Sequence, residues 1–194
     1  MIFSVKKWQL SLNFRALVSD PLFLPYRKVF ARLGFGRRVE ALLLSQIYPF
    51  ENYLADDGKP EIKTRNGHKS GKRTKRHLSL NGFCKGLGYA PSIESSGDIT
   101  RSRVSGGSDL CRKALWQWIF TRIEPQRARL NNDIGSWLGE FMDAEKLSGR
   151  SVRLVRSRVA AKAVKLLFKE LVHELVYSQN PSIKSEIEHK EFLE

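Results

Sequence analysis

The densest set of groups able to act on a phosphate runs from Ser95 to Ser108: Ser-Ser-Gly-Asp-Ile-Thr-Arg-Ser-Arg-Val-Ser-Gly-Gly-Ser. It reads as a glycine-punctuated polar loop carrying Arg101 and Arg103. Hydroxyls beside fixed positive charge are what a site acting on a DNA phosphate needs, and a loop that only grips a phosphate has the same make-up. A serine hydroxyl is a poor nucleophile until another group takes its proton, while arginines stabilise charge on the attacked phosphate. No histidine lies close in sequence to serve as that base. The plainer reading of any single serine here is a hydroxyl that caps a turn.

Two further stretches suit phosphate. From Lys59 to Arg76 the chain carries eight Lys or Arg in eighteen residues, with Gly67 and Gly71 among them and almost nothing apolar. That composition predicts a basic loop or arm that tracks a phosphate backbone by releasing counterions, or an exposed insertion kept soluble by its charge. Lys69, Lys72, Arg73, Lys75 and Arg76 are its candidate DNA contacts. Earlier, Leu33-Gly34-Phe35-Gly36-Arg37-Arg38 joins two helical patterns, about 23–33 and 39–47. Two helices around Gly-x-Gly read as a helix-hairpin-helix, or as an ordinary helical corner. In the first reading Gly34 and Gly36 let backbone amides at the second helix start hold a phosphate, and Arg37 and Arg38 add charge beside them.

The whole chain supports that direction. It has 194 residues, 41% of them hydrophobic, enough for one sizeable core. Lys and Arg total 34 against 20 Asp and Glu, a formal charge of +14. A domain this basic most often meets nucleic acid; membrane surfaces, acidic proteins and a merely solvated surface are the other readings. Cys84 and Cys111 give no disulfide framework, and the four histidines show no metal-ligand spacing, so no metal is expected in this chain. The first residues do not form a secretory signal, and no run approaches the length of a membrane span, so a cytoplasmic protein without membrane contact is expected.

These groups need a frame, and the pattern supplies helices. A short helix is expected over 78–87. A longer one is capped by Ser108, favoured by Asp109 at its start and stopped by Pro125; Leu110, Ala114 and Trp118, with Cys111, Leu115, Ile119 and Ile123, make its apolar face. Trp116 and Phe120 sit around the side and are expected to pack under later helices rather than stack on bases. Another helix spans about 130–146, with Ile134, Trp137, Leu138 and Phe141 on one side. The last spans about 151–177, with Val155, Val159, Ala163, Leu167 and Leu171 as its packed stripe. Arg158, Lys162, Lys165 and Lys169 form a second, basic face on it, lying along a phosphate backbone or simply wet. The expected architecture is mainly α, one compact helical domain over 25–177 with projecting basic loops. An irregular segment at 1–24 precedes it and a polar, frayed tail at 178–194 follows.

The order of these pieces resembles the C-terminal domain of the insertion-sequence transposase family IS one-ten/IS one-sixteen/IS nine-oh-two. The matching segments are Leu33-Gly-Phe-Gly36, Ala41-Leu-Leu-Leu-Ser-Gln-Ile-Tyr-Pro49 and Leu87-Gly-Tyr-Ala-Pro91. They continue with Ser96-Gly97 and Ser105-Gly-Gly-Ser-Asp-Leu-Cys-Arg-Lys-Ala-Leu115, so the resemblance covers about residues 25–123. It implies a serine that attacks DNA and forms a transient phosphoserine link. Ser96 matches it, with Ser95 as the alternative, and Arg101 and Arg103 would assist. Arg112, at the Arg-rich helix start, joins the DNA-contacting set. Full members of the family carry an N-terminal RNase-H-like domain whose four acidic residues bind divalent metal, and a structured RNA guides target choice.

The chain departs from that pattern in three places. Leu33 stands where proline is usual, the basic link at 51–77 is long, and residues 1–24 are too short for an RNase-H-like domain. The resemblance therefore implies the C-terminal part of a two-domain transposase, a remnant or split partner that is inactive alone, or a domain kept for DNA binding. The divalent metal belongs to the acidic domain. The expected partners are DNA, a guide RNA, that separate domain or a second copy of the chain. The rival reading is a DNA- or RNA-binding module that does no chemistry.

Overall fold

The computed structural model describes residues 20–66, 73–96, 99–104 and 106–178. Helices dominate it, as the apolar periodicity predicts: α1 Leu24–Arg32, α2 Arg37–Ile47, α3 Leu78–Gly86, α4 Asp109–Trp118, α5 Asp133–Leu147 and α6 Val152–Val172. Helices α4 and α6 each run on into a π-helical turn, Ile119–Ile123 and His173–Tyr177. Between them lie two antiparallel hairpins, β1 Ile62–Asn66 with β2 Arg73–His77, and β3 Pro91–Ser96 with β4 Ile99–Val104. The expected segments at 1–24 and 178–194 fall almost wholly outside the described residues. The first described turn, Pro21–Phe23, is 3-10 helical and capped by Asp20, whose carboxylate accepts from the Leu22 amide at 2.9 Å.

Helix α6 is the spine. Val155, Val159, Ala163, Leu167 and Leu171 form the expected stripe, and Ala160, Val164, Phe168 and Val172 widen it, so more than half the circumference is buried. Helices α1, α3, α4 and α5 all pack on it, while α2 packs chiefly on α4. An aromatic knot fills the space between α3 and α6: Phe83 meets Phe50, Tyr53 and Phe168 at centroid distances of 6.0, 5.2 and 5.3 Å. The α1–α2 side is tied by Tyr26, whose hydroxyl accepts from the Phe50 amide at 3.1 Å and whose pKa burial pushes up to about 12. Cys111 is a small core residue, as expected, and Cys84 is buried too; both are free thiols.

Ser108 caps α4, its hydroxyl accepting from the Cys111 amide at 3.2 Å. One predicted face residue differs: Leu110 is 63% exposed, although its neighbour Cys111 in the same first turn is buried. Trp116 and Phe120 do meet a later helix, but through charge. The Arg156 guanidinium of α6 lies 4.9 and 4.7 Å from their ring centroids.

Arg156 also donates to Glu124 at 2.6 Å, and Lys146 donates to the same carboxylate at 2.9 Å. Burial works against the charged form of Glu124, but hydrogen bonds from Arg156 and Lys146 outweigh it and hold the carboxyl below its ordinary range. A lowered folded-state pKa means that the stabilisation is whole above the ordinary glutamate range. It drains away as pH falls through the folded-state value. Glu124→Gln is expected to lower stability at neutral pH by about 2 kcal/mol and to flatten the acid side of the stability profile. Denaturant melts at several pH values check both, and parallel acid limbs for the two proteins would contradict the assignment.

Candidate nucleic-acid interface

Within the basic stretch at 59–76, the described residues 62–66 and 73–76 belong to the paired strands β1 and β2 rather than to a loop. This ribbon has no apolar face because every residue of both strands is exposed. Cross-strand pairing and its anchorage hold it instead. The amide of Glu61 donates to the buried Ser79 hydroxyl at 2.7 Å, and the Leu78 amide to the Glu61 carbonyl at 2.9 Å, so the foot is bound to the first turn of α3. The register pairs Lys63 with Arg76 and Arg65 with Thr74 on one face. Thr64 with Lys75 and Asn66 with Arg73 fall on the other. Cations therefore line both faces. Lys63 pairs with Glu61 at 2.8 Å, whereas Arg65, Arg73 and Arg76 have no carboxylate partner among the described residues. Arg65 was outside the predicted DNA-contacting set; the alternation of Lys63 and Arg65 was its only signal. Lys69 and Lys72 lie outside the described residues.

The helical body treats its cations differently. Arg129 makes two hydrogen bonds to Asp143, at 2.8 and 2.7 Å, and Arg158 and Arg150 reach Glu145 at 2.7 and 3.4 Å. Lys28 pairs with Glu174 at 3.1 Å, and Arg32 with Glu170. The predicted basic face of the last helix is half consumed in the same way. Arg158 is ion-paired, and the Lys162 ammonium lies 3.7 Å from the Phe141 centroid and 5.0 Å from that of Trp137. Lys165 and Lys169 are left exposed. On the ribbon, by contrast, Arg65, Arg73 and Arg76 stand without a carboxylate among the described residues.

At the helical corner, Arg37 and Arg38 are the first two residues of α2 and are exposed, as the helix-hairpin-helix reading requires. The two glycines do different work. Gly34 has φ +62, its amide donates to Ala31 and that of Phe35 to Phe30, both closing the end of α1, and Leu130 covers the position where a Cβ would stand. Gly34 is therefore a helix stop covered by Leu130. Gly36 is open, with nothing within 4 Å of the place a Cβ would occupy, and it forms the N-cap of α2. Glu40 faces the same turn; burial raises its carboxyl pKa against the opposing charges of Arg27 and Arg37.

The Ser/Gly/Arg run is likewise a hairpin rather than a loop over most of its length. Register pairs Ser92 with Arg103, Glu94 with Arg101 and Ser96 with Ile99. Ser96 and Ser95 thus stand on the strand paired with the one that carries Arg101 and Arg103. Arg112, predicted to touch DNA, closes the foot of this hairpin. Its guanidinium donates to the carbonyls of Gly88 at 3.2 Å and Gly106 at 3.1 Å, and to Asp109 at 2.9 Å. The Tyr89 hydroxyl, its pKa raised by burial, donates to the Arg112 carbonyl at 3.1 Å.

Among the described residues no three His, Cys, Asp or Glu come together to hold a metal ion, and no helix is long and apolar enough to cross a membrane. Compared with protein-family models, curated proteins and solved structures, the chain matches none of them.

Proposed function

We propose that this chain binds DNA through the β1–β2 ribbon, with the start of α2 as a second phosphate contact. The observation that carries the reading is the ribbon's own charge: among the described residues Arg65, Arg73 and Arg76 stand without a carboxylate partner on two fully exposed paired strands, whereas Arg129, Arg156 and Arg158 of the body are each held by a carboxylate. A two-stranded ribbon fits the major groove of B-DNA, and arginines beside phosphates release counterions. Titrating a duplex at two salt concentrations tests the reading. Affinity falls steeply with salt if it holds; absent or salt-indifferent binding removes it. Arg37 and Arg38 belong to the positioning contacts, so replacing both with alanine is expected to weaken binding about tenfold, equally for unrelated sequences. A loss confined to one sequence would show instead that they read bases.

A second reading is favoured by the hairpin register. Ser96 stands on the strand paired with the one that carries Arg101 and Arg103, the juxtaposition a serine-bearing transposase site needs. In that reading the chain is the C-terminal part of a two-domain transposase in the cytoplasm. The serine oxygen bonds to phosphorus, a DNA strand oxygen leaves with the electron pair, and the hydroxyl proton passes to a group on the acidic partner domain. A covalent DNA adduct surviving denaturation, present with the native chain and absent with Ser96→Ala, tests it. An adduct unchanged by the substitution, or none with the native chain, removes it.

A further inference from the structure

At the foot of the ribbon a groove of about 880 Å³ opens between the first strand, the start of α3 and the end of α6. That is within the range of roughly 300–1,000 Å³ typical of sites for small ligands. Its apolar lining includes Phe168, Leu80 and Ile62, the last of these 50% exposed despite its aliphatic side chain. His77 and His173 also line it; both are exposed, and neither imidazole makes a hydrogen bond among the described residues. Lys169 contributes a positive charge with no carboxylate partner among the described residues, whereas Arg32 is held by Glu170. Ile62 and His77 are themselves paired across the ribbon, so the groove begins where the two basic strands end.

We propose that this groove takes unpaired nucleotides of a DNA strand whose duplex portion lies on the ribbon. The inference rests on the DNA-binding reading above. An apolar floor with ring faces beside it suits a nucleobase, which stacks on aromatic and imidazole planes, while a lysine at the rim suits the phosphate between bases. Duplex DNA cannot use the groove, because its bases are already stacked on each other. A strand leaving the ribbon at a frayed end, nick or junction can.

The test measures fluorescence anisotropy with two DNAs of equal phosphate number at one salt concentration: a blunt duplex, and a shorter duplex bearing a single-stranded thymidine tail. The native chain is expected to bind the tailed DNA about tenfold more tightly, the effect of stacking one or two bases. His77→Ala with His173→Ala should abolish that preference, so that the tailed and blunt DNAs bind the variant equally. Both positions are exposed, and circular dichroism checks that the variant is folded. Failure of either DNA to bind would sink the DNA reading and this inference with it. Equal binding of the two by the native chain would overturn the inference alone, and would leave the groove to residues 179–194 or to a second copy. A preference that survives the double substitution would also overturn it.

Discussion

Replacing Arg65, Arg73 and Arg76 together with alanine is expected to lower duplex affinity about a hundredfold at low salt. It should also make the dependence of log K on log salt shallower by about 0.9 for each phosphate contact removed. The three arginines occupy both faces of the ribbon, Arg65 and Arg76 on one and Arg73 on the other, so the set removes charge whichever face meets the groove. All three are exposed and outside any ion pair among the described residues, so their loss removes no packing and strands no buried charge. The melting temperature should therefore stay within a degree or two, roughly the scatter of neutral surface substitutions. A large drop in melting temperature would mean that the arginines hold the ribbon together. Unchanged affinity in a stable variant would move the interface elsewhere.

Gly107→Ala is expected to be the most damaging single methyl group in the chain. Gly107 sits at the foot of the β3–β4 hairpin with φ +66, and a Cβ there would run into the Lys85 carbonyl oxygen and the backbone of Gly88. Both obstacles are backbone, so no side chain can turn aside. The left-handed conformation costs an alanine about 1 kcal/mol, and displacing the α3 end from the hairpin foot adds more, for a total of about 3 kcal/mol. For a domain of this size that is a fall in melting temperature of about 10 °C. Gly106→Ala is the control. It has φ +82 but open space around it, so it should show only the conformational part, about a third of the effect. Equal shifts for the two variants would show that contact at Gly107 contributes nothing. Arg112 grips the same foot through Gly88 and Gly106, so the damage should reach whatever the hairpin does.

The helices were legible because each buries one face. The pattern of Val155, Val159, Ala163, Leu167 and Leu171 placed α6, and Ser108 and Pro125 bracketed α4 with its π turn. The hairpins were not legible as strands. Strand patterning shows when one face meets a core and the other meets water, and β1 and β2 are exposed on both. What holds them is pairing between residues far apart in sequence, such as Ile62 with His77, which leaves no local periodicity. The same blindness hid what Arg112 does in the fold. An arginine in a basic, serine-rich neighbourhood reads as a DNA contact, and only the carbonyls of Gly88 and Gly106 reveal a clamp. The two glycines of the helical corner looked equivalent in sequence. Leu130, almost a hundred residues later, is what covers Gly34 and leaves Gly36 open.

The position of the spine has a consequence for how the protein is made. Helix α6 follows all the other helices of the described residues, yet α1, α3, α4 and α5 all find buried surface on it. Before residue 152 leaves the ribosome, those four helices have only each other to pack against, and isolated helices of their length are marginal in water. The domain therefore closes late and as a unit rather than growing from its N-terminus. A chain ending before α6 would lack the surface on which α1, α3, α4 and α5 pack.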